Sequence, residues 1–161
     1  MNNPEQTARL IFELALKTVA DGIEKKPFSG REMIGFYLVH FFARFDREQA
    51  YAFYFGGSGK LAGRLHLQDG GSVLVDPVAE SIEKRGDELF ASSFIIAHSH
   101  PGLPAAPSAE DVLSTERIKR FFEGSHILFL EHFIVSGNDY STMFTETLWK
   151  KRYDGGRITV F

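Results

Sequence analysis

The run Phe94-Ile95-Ile96-Ala97, leading directly into His98-Ser99-His100-Pro101, constrains this chain more than any other feature. A short apolar run of this kind reads as a buried strand. Side chains two residues apart on an extended chain point the same way, so His98 and His100 share one face. Pro101 disfavours the helical conformation at His100 and keeps the pair extended to its end. Gly102 to Pro107, carrying Gly102, Pro104 and Pro107, reads as a loop. Ser108 then has the character of a helix N-cap, with Glu110 and Asp111 in the first turn of a helix running to about Glu123. Such a loop can fold the helix start back over the strand end and bring Asp111 toward the two imidazoles.

Each residue alone has a plainer explanation. A His near a strand end is usually a satisfied core or surface residue, and an Asp in a first helical turn commonly answers the helix dipole. Together they form a pattern that chance rarely assembles, and the pattern is that of a metal site. Catalytic zinc is held by three protein ligands with the fourth position open, whereas structural zinc is closed by four ligands that usually include Cys. The chain has no Cys. A catalytic metal held by His98, His100 and Asp111 is the expectation.

These residues resemble the motif of the JAMM (MPN+) metal-dependent isopeptidases. The resemblance implies zinc on His98, His100 and Asp111, with Ser108 helping to stabilise the oxyanion and an upstream Glu activating the water. More of the chain resembles the bacterial RadC-like branch. Arg47-Glu48-Gln49-Ala50-Tyr51-Ala52-Phe53, Ser72 to Pro77, the metal motif, and Leu130 to Val135 through Phe144 follow that core in order over about residues 29 to 145. RadC-like chains usually read His-Asn-His-Pro-Ser-Gly, whereas Ser99 and Gly102 stand here. No counterpart of the helix-hairpin-helix segment that precedes the domain in full-length RadC proteins is recognised.

The resemblance implies an α/β domain with a mixed central sheet flanked by helices, of the cytidine-deaminase-like architecture. The implied activity is zinc-dependent hydrolysis of a peptide or isopeptide amide, deubiquitinase-like, on a protein or peptide substrate such as a ubiquitin-like conjugate. The rival readings are a DNA-repair-associated factor and a metal-bound interaction module without turnover. Deamination is excluded on motif grounds, since zinc deaminases carry His-x-Glu followed by Pro-Cys-x-x-Cys.

Glu48 is the expected proton carrier. It stands at the entrance to the apolar run Ala50 to Phe55 and matches the Glu that begins the first core strand of RadC-like chains. Glu80, Glu83 and Glu88 compete for the role but fall on an expected helix, where a carboxylate is usually a solvated face. His40 and His66 are read as packing or surface residues, and His126 as opening a strand. His132 differs, because Glu131-His132 occupies the place of an Asp-His pair in RadC-like proteins and metal-bound His needs a hydrogen-bonding partner behind it.

At 161 residues the chain suits one domain, with N-terminal helices over 1–45, a metal-binding core over 46–145 and a tail over 146–161. Hydrophobic content of 43% with 16 Phe supplies the core. A net charge of −3 gives nucleic acid no general attraction, since phosphate binding relies on Lys and Arg. No apolar stretch approaches a bilayer span and no secretory leader is evident, so cytoplasmic residence is expected. Helices are expected over Pro4 to Ile23, after Ser29, over Pro77 to Phe90 and from Ser108. Strands are expected at Tyr51 to Phe55, Leu61 to Leu67, Val73 to Val75, Phe94 to His98, Ile127 to Val135 and Tyr140 to Phe144. The tail, Trp149 to Tyr153 and then Ile158 to Phe161, reads as a packed end or an edge strand, with a self-docking or partner-binding segment as the alternative.

Overall fold

The computed structural model describes residues 27–28, 31–69 and 76–144, together with positions 4, 6, 7, 10, 11 and 14, all helical. The expected strand at 73–75, most of the first expected helix and the tail over 146–161 lie outside these residues. In chain order the described elements are α1 (Arg31–Phe42), β1 (Gln49–Phe55), β2 (Leu61–Asp69), α2 (Asp76–Glu88), β3 (Ser93–Ser99), α3 (Ala109–Phe121), β4 (Leu128–Ser136) and β5 (Asp139–Thr142). None of the described helices is long and apolar enough to cross a membrane.

The strands form one five-stranded sheet in the order β2-β1-β3-β4-β5. β1 is antiparallel to β2 and β3, β3 is parallel to β4, and β4 is antiparallel to β5. The sheet is therefore mixed, as expected. β3 lies at its centre with all seven residues buried. Strand alternation splits the core in two. Phe53, Phe55, Ile95 and Ala97 pack with Ile34, Leu38 and Phe41 of α1 on one face. Ala52, Tyr54, Phe94 and Ile96 pack with Ala79 and Ile82 of α2 and Ile118 of α3 on the other. Aromatic pairs knit each half: Phe41 meets Phe53 edge-on at 5.1 Å, and Phe94 stacks on Phe129 at 4.8 Å. Gly35 lets α1 approach β5, because a Cβ there would meet the Tyr140 ring.

Two elements differ from expectation for identifiable reasons. α2 stops at Glu88 rather than at Phe90, because Phe90 takes a left-handed φ of 51° and the Ala91 N–H turns back to the Gly86 carbonyl at 2.9 Å. His126 does not open a strand. It sits exposed in the bend before β4 and holds Asp87 Oδ1 through Nε2 at 2.8 Å.

Candidate metal centre

The end of β3 and the residues just before β1 are brought together by strand register. Ala50 of β1 pairs with His98 of β3, and continuing that antiparallel ladder sets Glu48 opposite His100. Residue parity also puts Glu48 on the face of Ala50, Ala52 and Tyr54, the face to which His98 belongs with Phe94 and Ile96. Glu48 Oε1 lies 3.4 Å from His100 Nε2. Ser99 joins the same two chain ends: its Oγ accepts the Gln49 N–H at 3.1 Å and donates to the Arg47 carbonyl at 3.5 Å, clasping the backbone on both sides of Glu48.

From the other side comes α3. Ser108 caps it, its Oγ accepting the Asp111 N–H at 3.1 Å while the Ser108 N–H and hydroxyl both reach Asp111 Oδ2 at 2.7 Å. This reciprocal capping box locks the Asp111 side chain as well as the helix start. Asp111 Oδ1 then stands 3.3 Å from His98 Nε2, and Oδ2 stands 3.7 Å from His100 Nε2. The loop expected to fold the helix back over the strand does so. It is held by the His100 N–H on the Val135 carbonyl at 2.8 Å, the Leu103 N–H on the His100 carbonyl at 3.1 Å, and the Ser136 hydroxyl on the Leu103 carbonyl.

The two imidazoles meet through Nε2 atoms 2.8 Å apart. Glu48, His98 and His100 each offer a ligand atom within 4.8 Å of the others, so the three could hold a metal ion, with Asp111 beside both imidazoles. Imidazole nitrogens converging with carboxylate oxygens suit a divalent cation. Burial alone would raise the Asp111 carboxyl, but hydrogen bonds from His98 and from the Ser108 backbone, with the His98 charge, hold it well below the ordinary carboxylate range. It is thus ready to ligate as the anion. His98, His100 and Asp111 are 3%, 8% and 6% exposed, while the Glu48 side chain is 36% exposed. The imidazoles and Asp111 form the floor and Glu48 the solvent side.

His132 stands behind His98, its Nε2 2.8 Å from His98 Nδ1, and its own Nδ1 is 2.6 Å from Thr115 Oγ1. Burial, and then the neighbouring His98, pushes its pKa from 6.5 to about 3. A shift of register between Phe94 and Ile95 makes this arrangement possible: Phe94 pairs with Phe129 but Ile95 with Glu131, leaving Leu130 as the extra residue of a bulge. Past the bulge His132 points to the metal face, toward α3. Glu131 points to the α1 face, where its Oε2 lies 3.5 Å from Arg31 and its Oε1 accepts the N–H groups of His132, Met143 and Phe144.

The remaining candidates are placed elsewhere. Glu80, Glu83 and Glu88 lie on α2, Glu88 in an exposed pair with Arg85 at 2.9 Å. His66 lies against Tyr51 in a tilted arrangement, ring centroids 4.7 Å apart, and meets Gln49 Oε1 at 3.0 Å, a surface role as expected. Sequence reasoning missed Thr115. The signal was its position four residues after Asp111, one helical turn on and therefore on the same face.

Comparison with known proteins agrees with this architecture. A family model described as the RadC-like JAB domain matches residues 28–148. A UPF0758 protein from Carboxydothermus hydrogenoformans is 28% identical over 144 residues, covering 89% of this chain and 61% of its own length. One from Streptococcus suis is 27% identical over 117 residues, covering 69% and 45%, and one from Streptococcus pyogenes serotype M49 is 46% identical over 75 residues, covering 43% and 33%. The chain thus spans between a third and three-fifths of the length of these relatives. With three-quarters of its residues matched, and with the mixed sheet and the clustered Glu48, His98 and His100 in place, the chain belongs to the RadC-like JAB domain family.

Proposed function

We propose that this domain is a zinc-dependent hydrolase of amide bonds, acting in the cytoplasm on a peptide or isopeptide linkage of a protein substrate. The observation that carries the proposal is the spacing of the donor atoms. The separations His98 to His100, His98 to Asp111 and His100 to Asp111 are 2.8, 3.3 and 3.7 Å. Donors about 2.0–2.1 Å from a tetrahedral zinc stand about 3.3 Å from one another. His98, His100 and Asp111 would hold the ion, leaving Glu48 on the solvent side as the fourth group.

A zinc ion bound there supplies polarisation of the scissile carbonyl and lowers the pKa of a water to about 7. Glu48 takes the proton of the attacking water and delivers it to the leaving amine, a role that suits a carboxylate with access to solvent. Ser99 holds the backbone around Glu48, and the capping box holds the Asp111 carboxylate. Ser108 serves the oxyanion once its hydroxyl turns from Asp111 Oδ2, its partner at 2.7 Å.

The test is hydrolysis of a panel of peptide and conjugated small-protein substrates by the zinc-loaded protein, the chelated protein and Glu48→Gln. Chelation should abolish cleavage, with zinc restoring it. Glu48→Gln should keep close to one zinc per chain and lose on the order of 10²-fold or more in rate. Zinc loss in Glu48→Gln would move that residue into the ligand set. Cleavage that survives both chelation and His98→Ala would overturn the proposal, and salt-dependent DNA binding without cleavage would favour the DNA-associated reading.

A further inference from the structure

We infer that Thr115 and His132 are positioning residues that fix the tautomer of His98, presenting its Nε2 lone pair to a cation at the centre proposed above. The inference rests on that reading of the centre but concerns atoms behind it. Four groups form a single file: the Asp111 carbonyl, Thr115 Oγ1 at 2.6 Å from it, His132 Nδ1 at 2.6 Å from Thr115, and His98 Nδ1 at 2.8 Å from His132 Nε2. His132 and Thr115 are each 2% exposed, so no bulk water can substitute for a missing partner.

One polarity of the file starts at the Asp111 carbonyl, which only accepts: the Thr115 hydroxyl donates to it, and the hydroxyl oxygen then receives the N–H of His132 Nδ1. A neutral imidazole carries one N–H, which leaves His132 Nε2 as an acceptor for the Nδ1–H of His98. His98 in turn has its free lone pair on Nε2, the nitrogen that faces Asp111 Oδ1 and His100. The opposite polarity is also connected: Thr115 to His132 Nδ1, His132 Nε2–H to His98 Nδ1, and His98 Nε2–H to the Asp111 carboxylate. That form places a proton where the cation would bind. The file therefore has two settings, and loading selects the first. Both its ends lie on Asp111, whose carbonyl anchors the hydroxyl while its carboxylate is a proposed ligand.

The bulge at Leu130 supports a role specific to the site. Without the bulge, regular alternation after Phe129 would turn Glu131, not His132, toward α3. The fold inserts one residue at this point, and the outcome is an imidazole rather than a carboxylate behind His98.

The test measures zinc affinity by chelator competition for the unmodified protein, Thr115→Val, Thr115→Ser and His132→Phe, with folding of each checked by circular dichroism. In parallel, nitrogen NMR reads the imidazole tautomers of the zinc-loaded, unmodified protein. Hydrogen-bond partners behind metal ligands are worth about 10–100-fold in affinity. A loss of that size is expected for His132→Phe, and of about tenfold for Thr115→Val, while Thr115→Ser, which keeps the hydroxyl, should bind as the unmodified protein does. His132 and His98 should both read as Nδ1–H. Folded Thr115→Val and His132→Phe with unchanged affinity would overturn the inference and leave the metal centre standing, as would an Nε2–H tautomer of His132 in the loaded protein. Failure of the unmodified protein to take up zinc would overturn both. Should His132→Phe fail to fold, the Thr115→Val and Thr115→Ser pair and the tautomers still decide.

Discussion

Replacing Glu131 by Ala should be among the most damaging single changes on this fold, although the residue touches neither the substrate face nor the metal centre. Its side chain is fully buried, and Oε1 accepts the N–H groups of His132, Met143 and Phe144 at 3.0, 3.0 and 2.7 Å. Oε2 lies 3.5 Å from Arg31, whose side chain is 21% exposed. Breaking a buried ion pair by removing one partner costs about 3–5 kcal/mol, and the Arg31 Nη2 atom that faces Glu131 is itself buried. The N–H groups add to this, since a hydrogen bond to a charged group is worth about 1.5–3 kcal/mol. Met143 keeps a second acceptor in the His132 carbonyl at 3.1 Å, so its share is small. We expect about 3–5 kcal/mol in total, a large fraction of the roughly 5–15 kcal/mol typical of a domain. Glu131→Gln retains an acceptor at Oε1 and forfeits the charge, and should cost about 1–2 kcal/mol. Urea unfolding followed by circular dichroism, with chelator present throughout so that metal binding does not contribute, measures both. A cost below about 1 kcal/mol for Glu131→Ala would refute the reasoning, and equal costs for the two variants would refute the part assigned to the N–H groups.

Ser108→Ala should cost about 0.5–2 kcal/mol through loss of the cap; if the rate per folded, zinc-loaded molecule on a cleavable substrate is unchanged, the hydroxyl serves only the helix and Asp111. Ser99→Ala should retain zinc and lose rate, because the Gln49 N–H beside Glu48 loses its acceptor, with Ser99→Asn restoring part of the rate; zinc loss in Ser99→Ala would refute this. Burial holds the Tyr54 phenol, bonded to the Ile82 carbonyl at 3.0 Å, well above its ordinary value of 10. The unfolded chain therefore gives up this proton first, so stability falls as pH rises above 10, by up to about 1.4 kcal/mol per pH unit, and Tyr54→Phe should remove that part of the slope in urea titrations between pH 9 and 11.

Much of the fold was legible because the periodicities are plain. The apolar run before His98 reads as a buried strand and is one, and Ile34, Tyr37, Leu38, Phe41 and Phe42, at helical spacing after Ser29, are all buried in α1. Element ends were less so, since Phe90 carries no sign of the left-handed turn it makes. Parity within β1 was readable, but its register against β3 depends on where the strands meet, and no local pattern states that Ala50 faces His98. Resemblance could therefore suggest the pairing of Glu48 with His100, whereas the residues of the two segments alone could not.

The centre is less legible than its motif, and the bulge explains why. A motif read along the chain treats Glu131 and His132 as a pair, yet the structure puts them to work on opposite faces: one pins β4 to α1 and to the residues after β5, the other backs His98. Nothing in Phe129-Leu130-Glu131 announces the extra residue, because either side chain can be buried once it has partners, and those partners, Arg31 and Thr115, come from α1 and α3. A bulge is stable only if both faces are satisfied after the shift. Glu131 must find its cation and N–H donors in the same register that lets His132 find Thr115 and His98. The two residues are thus coupled through the strand and through the His132 N–H on Glu131 Oε1, so a change at Glu131 that relaxes the bulge would also turn His132 away from the centre.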